Sequence, residues 1–330
     1  MIPILLQAHT RSLTKVVYNH EGDLLFSASK DDKPNLWRTS NGERVGSYNG
    51  HSGTVWSLDV TRDSKTLASG SADSTVKLWD VASGKLTTTV ETDTGVRSVA
   101  WAMGDQLLAV LTDKTMGFQA TILLHDVRSG KMEGTVLPGT VLERKPTIIR
   151  WTDCNEAILS GHEDGHLALW DPSTGAVLQK AHIHTETIRD LQLSLDRTYF
   201  ITASKDTTAK LVETSNLKAI KTYSTERPVN SAAISPFRPE VLVAGGQEAL
   251  NVTTTSSRAG QFEARFFHQV YQTELGRVSG HFGPINTLAY SPTGRGYASG
   301  AEDGYIRLHA FDPDYYDFAF TEPDVDEPLL

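Results

Sequence analysis

The stretch GHSGTVWSLDV (Gly50–Val60), followed by KTLASGSADSTVKLWDV (Lys65–Val81), decides how this chain folds. Val55, Ser57 and Asp59 alternate with Trp56, Leu58 and Val60, which is the period-two pattern of a strand. Leu67 to Gly70 reads as a second strand and Val76 to Trp79 as a third. Between those two, Ala72-Asp73-Ser74 is a tight turn, because an Asp side chain can bond its own backbone. Ala82-Ser83-Gly84 turns the chain again, into Leu86 to Val90. The unit is therefore four short antiparallel strands. His51 stands 22 residues before Asp73, and the same offset joins His9 to Asp31, His184 to Asp206 and His281 to Asp303. A fixed offset recurring along one chain means one supersecondary unit built several times.

The same grammar appears in SASKDDKPNLW (Ser27–Trp37), SGHEDGHLALWD (Ser160–Asp171), TASKDTTAKLV (Thr202–Val212) and ASGAEDGYIRLH (Ala298–His309). Two further copies are degraded. The third keeps VRSVAW (Val96–Trp101) and Asp113, then interposes KTMGFQAT before ILLHD. The sixth keeps VNSAAISP (Val229–Pro236), then reads GGQEALNVTTTSS where the Asp turn should be. Long spacings mark insertions near residues 114–146 and 251–277. Seven such units predict an all-β chain folded as a seven-bladed WD40-type β-propeller over residues 1–311. An open ring would expose strand edges. The first unit starts at His9 and the last has three strands before Phe311, so Ile2 to Gln7 is expected to supply the missing fourth strand. Residues 312–330 form an acidic and aromatic tail, of which Tyr315, Tyr316, Phe318 and Phe320 are expected to pack on the propeller.

The bulk numbers exclude several classes. Net charge is −9, with no basic run of the kind that grips phosphate, so no direct nucleic-acid contact is expected. Cys154 is the only cysteine, which rules out a disulfide within the chain and suits a reducing cytoplasm. The first residues lack the pattern of a signal peptide, and there is no long apolar run, so no membrane partner is expected.

The residue four before each turn Asp is Ser27, Ser69, Ser160, Thr202 or Ser299, and the residue six after is Trp37, Trp79 or Trp170. Together with His9, His51, His184 and His281 and with Asp31, Asp73, Asp164, Asp206 and Asp303, they predict a buried network. In it Asp accepts from one His nitrogen, the hydroxyl donates to the other, and the indole N–H donates to the hydroxyl oxygen. A Ser-His-Asp set can also be a hydrolase triad, but a nucleophile occurs once and stands exposed, whereas this set recurs with its hydroxyls committed. His162-Glu-Asp-Gly-His166 matches a zinc-protease signature, which requires a helix; here Asp164-Gly165 is a turn. No catalytic, cofactor, metal or small-molecule substrate site is expected.

Repeats 6 and 7 carry three specific stretches, RPVNSAAISP (Arg227–Pro236), GGQEALNVTTTSSRAGQFEARFFH (Gly245–His268) and the run from Gly276 to Phe318, of which the segments GGQEALNVTTTS and GQFEARFFH are not propeller grammar. With YNHEGDLLFSASKD and NGERVGSYNGHSGTVWSLDV, they closely resemble the subunit i family of eukaryotic translation initiation factor 3, over essentially the whole chain. The resemblance implies a non-catalytic scaffold that binds subunits b and g. It also implies an indirect role in bringing mRNA and initiator tRNA to the 40S ribosomal subunit. Units 5 and 6 lose the Trp, at Val212 and Thr255, and unit 6 loses the Asp turn. The partner face is therefore expected on blades 5 and 6, around Lys205, Asp206, Tyr223, Glu226 and Arg227. The alternative is a propeller adaptor, as in ubiquitin-ligase or signalling complexes, that reads a peptide on its central face. A ring of Arg or aromatic side chains at the entrance would mark it.

Overall fold

The computed structural model describes residues 3–115, 117–129, 134–137, 144–246 and 262–317. They form seven four-stranded antiparallel sheets arranged as the blades of a β-propeller. Blade 2 shows the pattern: Val55–Val60, Thr66–Ser71, Thr75–Asp80 and Leu86–Glu91, paired in that order. The first strand of every blade packs against the first strands of both neighbours, including Ile285–Tyr290 of blade 7 against Leu13–Tyr18 of blade 1. The apolar core therefore lies between blades rather than within one. Phe26, Leu36 and Tyr48 of blade 1, for example, meet Leu58, Leu67 and Trp79 of blade 2. Hydroxyls stitch the inner seams where backbone N–H groups face the next blade. Val99 N–H donates to Ser57 Oγ at 3.2 Å, Leu288 N–H to Ser231 Oγ at 3.0 Å and Val16 N–H to Thr287 Oγ1 at 3.1 Å.

Ile4–Gln7 pairs antiparallel with Tyr305–Ala310, from Ile4 opposite Leu308 to Gln7 opposite Tyr305. It is the fourth strand of the sheet whose other three strands lie at Ile285–Ala310. Its Leu6 is 2% exposed and sits with Ile306 and Leu308 of blade 7 and Leu25 and Trp37 of blade 1.

Residues 251–277 are less of an insertion than their spacing predicts. Phe262–His268 and Glu274–His281 are the third and fourth strands of blade 6. The extra length lies between its second strand, which ends at Gly245, and Phe262. The offset shifts the Trp position accordingly. Trp79 pairs with Leu67 and Phe267 pairs with Val241, both partners being the second residue of their strand, so Phe267 holds that place in blade 6; Thr255 lies outside the described residues. Likewise in the 114–146 stretch, Ile122–Asp126 and Gly134–Val136 complete blade 3.

The buried network has the same geometry in blades 1 and 2. His9 Nδ1 lies 2.8 Å from Asp31 and Nε2 2.8 Å from Ser27 Oγ, while Trp37 Nε1–H donates to Ser27 Oγ at 2.8 Å. His51, Asp73, Ser69 and Trp79 repeat this at 2.8, 2.7 and 2.8 Å. A carboxylate only accepts, so Nδ1 carries the proton; Nε2 then accepts from the hydroxyl, whose oxygen is left for the indole. Blade 5 has His184, Asp206 and Thr202, and blade 7 has His281, Asp303 and Ser299, both without an indole. Val212 and His309 hold the Trp place there.

Blade 4 departs from the expected set. Trp170 donates to Ser160, but the ring that reaches Ser160 Oγ, at 2.9 Å, is His162 on the same strand. Asp164 takes no part in that network. Position 142, which is 22 residues before it, is Leu, which has no ring nitrogen to offer. Asp164 instead faces Arg144 and His166. Gly165 that follows has φ of +80°, and a Cβ there would stand 1.9 Å from His184 O, so only glycine fits the turn. His162 and His166 consequently lie on two strands, paired with Pro146 and His182, and not on one helical face.

Beyond Phe311 the short helix Pro313–Asp317 is tied to blade 6. Tyr315 stacks on Phe311 with ring centres 3.9 Å apart, and its hydroxyl donates to Glu240. The Arg238 guanidinium lies 4.6 Å from the centre of the Tyr315 ring and donates to the Tyr315 carbonyl at 2.8 Å. Tyr316 is 47% exposed, with its ring 5.4 Å from that of Tyr315 and its hydroxyl donating to Gly294 O at 3.4 Å, and Phe318 and Phe320 lie outside the described residues. No helix among the described residues is long and apolar enough to cross a membrane.

Two outcomes follow from this packing. Deleting residues 1–8 uncovers the edge of Tyr305–Ala310 and should remove most of the stability, while Leu6→Ala alone should cost about 2–5 kcal/mol. Thermal unfolding unchanged by the deletion would show that Ile4–Gln7 contributes nothing. The second outcome concerns acid. Burial pushes the His162 and His309 imidazoles down to about 4. In the unfolded chain they take up protons near their ordinary value of about 6.5, which the folded chain resists down to about 4. Their contribution is thus complete above about 6.5 and is lost as pH falls toward 4, at roughly 3 kcal/mol each. The depressed carboxylates Asp31, Asp73, Asp206 and Asp303 add their loss at lower pH. Denaturant midpoints measured from neutral pH down to pH 5 should fall. The fall should be shallower in His309→Phe, which keeps a ring against Tyr297.

Candidate protein interface

Ser27, Ser69, Ser160 and Thr202 are fully buried, and each hydroxyl is already shared with an imidazole. None can meet a substrate, so the surface has to be read for binding. The residues expected to form one partner face on blades 5 and 6 fall in four different places.

Tyr223 is a core residue. It is 1% exposed, its ring lies 5.8 Å from that of Phe267, and its hydroxyl donates to Gln269 O at 2.7 Å. On Ala219–Ser224 it occupies an inward position, so the strand's alternation removes it from any docking face. Asp206 is committed to the frame. It accepts from His184 at 2.8 Å, from Thr208 Oγ1 at 2.6 Å and from Thr185 N–H at 3.1 Å. These hydrogen bonds outweigh the burial that would raise its pKa, and the carboxyl stays below its ordinary range. Lys205 points to the propeller axis, where it shares a depression with Arg189 and Asn230.

Glu226 and Arg227 remain on the edge of blades 5 and 6. Glu226 is exposed. Arg227 is half-buried and lines a cleft of about 30 Å³ with Pro228, Gly245, Glu263 and Arg265. A Cβ on Gly245 would meet the Pro228 carbonyl at 2.1 Å, so the first two strands of blade 6 are in close backbone contact here. Farther along the same edge, the turn Gln269–Gln272 lies against the outer strand of blade 5, with Gln272 Oε1 accepting from Thr222 N–H at 3.3 Å. That turn and the strands beside it present Ile220, Val270, Tyr271 and Leu275 to solvent, from 37% to 52% exposed. The outer face of blade 6 adds a cross-strand charge ladder, in which Arg277 faces Glu274 and Glu263, and Arg265 faces both acids.

The edge of blades 5 and 6 thus offers an apolar stretch with charges at one end and alongside. Single exposed apolar residues are ordinary, whereas several at one seam mark a contact surface. Sequence reasoning missed Ile220, Val270, Tyr271 and Leu275. The signal lay in apolar residues on two fourth strands (Ile220 and Leu275) and the turn between Phe262–His268 and Glu274–His281 (Val270 and Tyr271), of which the last three could not be read while residues 251–277 passed for an insertion.

The family model described as EIF3I matches residues 1–321. The protein named eukaryotic translation initiation factor 3 subunit I from Nematostella vectensis is 49% identical over 320 residues, covering 97% of this chain and 99% of its own. Its namesake from Danio rerio is 49% identical over 321 residues, covering 96% and 99%. The one from Drosophila melanogaster is 48% identical over 327 residues, covering 97% and 100%. The non-propeller segments and the whole-length match agree, and the chain belongs to the subunit I family of eukaryotic translation initiation factor 3.

Proposed function

We propose that this initiation-factor subunit works as a non-catalytic scaffold in the cytoplasm, docking a short helix from the C-terminal part of subunit b on the outer edge of blades 5 and 6. Subunit g joins the same module, which supports recruitment of mRNA and initiator tRNA to the 40S ribosomal subunit and scanning. The working unit is a single propeller, residues 1–311, with the tail from Asp312 as an appendage whose first turn is pinned to blade 6. The observation that carries the docking site is the apolar seam of Ile220, Val270, Tyr271 and Leu275 beneath Glu226 and Arg227. An amphipathic helix laid on such a seam buries its apolar face and leaves its charged flank to meet the rim residues. The buried, shared hydroxyls support a role without catalysis.

The seam can be tested without disturbing the core, because Ile220 is 49% exposed and Glu226 lies on the surface. Glu226→Arg with Arg227→Glu, and separately Ile220→Glu, should each weaken capture of a subunit b C-terminal segment about tenfold, or about 1.4 kcal/mol. Thermal unfolding should stay unchanged. Undiminished capture by both variants would refute this placement. Mass spectrometry of proteins co-purifying with the tagged chain should be dominated by initiation-factor subunits; their absence would refute the scaffold role itself.

A further inference from the structure

A propeller exposes the outer edge of its fourth strands, and such an edge is a row of unpaired N–H and C=O groups that another chain can pair with. Most of the outer edges here are guarded. Arg44–Ser47, Leu86–Glu91, Val177–His182, Ala219–Ser224 and Glu274–His281 each carry a charged residue, respectively Arg44, Glu91, Lys180, Lys221 and Arg277. Each also slips in register against its third strand, next to Trp37, Trp79, Trp170, Val212 and Phe267. Gly134–Val136 offers only three residues. Charge, a bulge and shortness are the devices by which sheet edges avoid pairing.

Ile4–Gln7 carries neither a charge nor a bulge. It reads ILLQ and pairs with Tyr305–Ala310 residue for residue, without a slip in register. It is the outermost strand of its sheet, so alternate residues along it turn their N–H and C=O groups away from the sheet. Leu5 is 52% exposed and Ile4 37% exposed. The strand is also held still. Leu6 is anchored in the core between blades 7 and 1. A Cβ on Gly42 would stand 2.5 Å from Ile4 Cγ2 and 2.7 Å from Leu6 Cδ2, so blade 1 closes on the strand from that side. Leu5 and Gln7 lie on the other side, opposite Arg307 and Tyr305. Pro3 has no N–H and ends the template, which leaves a rigid edge of four residues.

We infer that Ile4–Gln7 is a docking edge for a β-strand, and that its occupant is an extended segment of another subunit of the initiation-factor complex, apolar where it passes Leu5. Outward donors and acceptors recur along the edge at strand spacing, which an extended backbone matches and a helix does not. The side chains ILLQ offer an incoming strand apolar neighbours and no charge, so apolar cross-strand pairs are the ones that form. A second copy of this chain is a poorer occupant. The four residues span about 13 Å, and a strip one strand wide falls far short of the roughly 1,200 Å² that a stable interface buries. A segment whose own subunit is already held in the complex needs no such area, because tethering raises its effective concentration. The edge belongs to blade 7, and the inference does not rest on the seam of blades 5 and 6.

Amide hydrogen exchange reads this directly, because backbone pairing protects N–H groups that a side-chain contact leaves open. It is measured on the full chain alone and in the reconstituted initiation-factor complex. The outward amides of Ile4–Gln7 should exchange rapidly in the free chain and at least about tenfold more slowly in the complex. Leu5→Lys supplies the charge that the other edges carry and should abolish that gain, whereas Leu5→Val should keep it. Both variants should unfold thermally like the original chain, since Leu5 is half exposed, and both should capture the subunit b C-terminal segment undiminished. Exchange that is unchanged on assembly, or slowed equally in Leu5→Lys, would overturn the inference. So would loss of subunit b capture in Leu5→Lys, which would assign Leu5 to that contact. Sedimentation that shows the free chain dimerising through Leu5 would also overturn it, because the occupant would then be a second copy.

Discussion

A neutral imidazole has one proton and one lone pair, and the blade frame depends on how those two are used. In blades 1 and 2 the proton goes to a turn carboxylate and the lone pair to a strand hydroxyl, whose own oxygen is closed by an indole. The four groups come from the loop entering the blade, the turn between its second and third strands, and those two strands themselves. Fixing one proton thus fixes four chain segments. The same turn Asp also accepts the backbone N–H following the His, from Thr10, Ser52, Thr185 and Phe282. A buried chain of this kind is stable only when every member is satisfied. Blades 5 and 7 do without the indole, with Val212 and His309 at its register position.

Such a frame is local in sequence, and for that reason it was legible. The offset between His and Asp, the alternation of Val55–Val60 and the turn at Asp73 need only one blade to be seen. What escaped depends on counting across gaps or between chain segments. Thr255 was matched to the Trp position by spacing, and the inserted length before Phe262 moved that position to Phe267. His162 reaches Ser160 from within the same strand, where no 22-residue offset exists to announce it. Tyr223 lies on a fourth strand whose side facing the next blade is set by pairing, and its ring is turned inward against Phe267. The exposed seam at Ile220 and Val270 brings together residues from two blades, a proximity that no single segment encodes.

Charge shows the same division between global and local. An overall balance of −9 argues against phosphate-binding surfaces, yet it averages over acids that are structurally occupied. Asp31, Asp73, Asp206 and Asp303 serve imidazoles, and Asp190 pairs with Lys15 at 2.8 Å across the channel between blades 5 and 1. Burial alone would raise the Asp190 carboxyl, and the Lys15 ammonium together with the Ser231 hydroxyl bring it below its ordinary range.

The Arg238–Tyr315–Glu240 cluster has a mechanical consequence. The last described turn of the chain is fastened to the loop and second strand of blade 6, while the preceding strand, Tyr305–Ala310, carries Ile4–Gln7 as its outer neighbour. Tension applied through the C-terminal tail would therefore be taken first by an aromatic stack and a guanidinium clamp on blade 6. Only after that cluster slipped would the pull reach the hydrogen-bonded zip of blade 7. The tail can in this way serve as a tether whose strain is diverted away from the seam where the two ends of the chain meet.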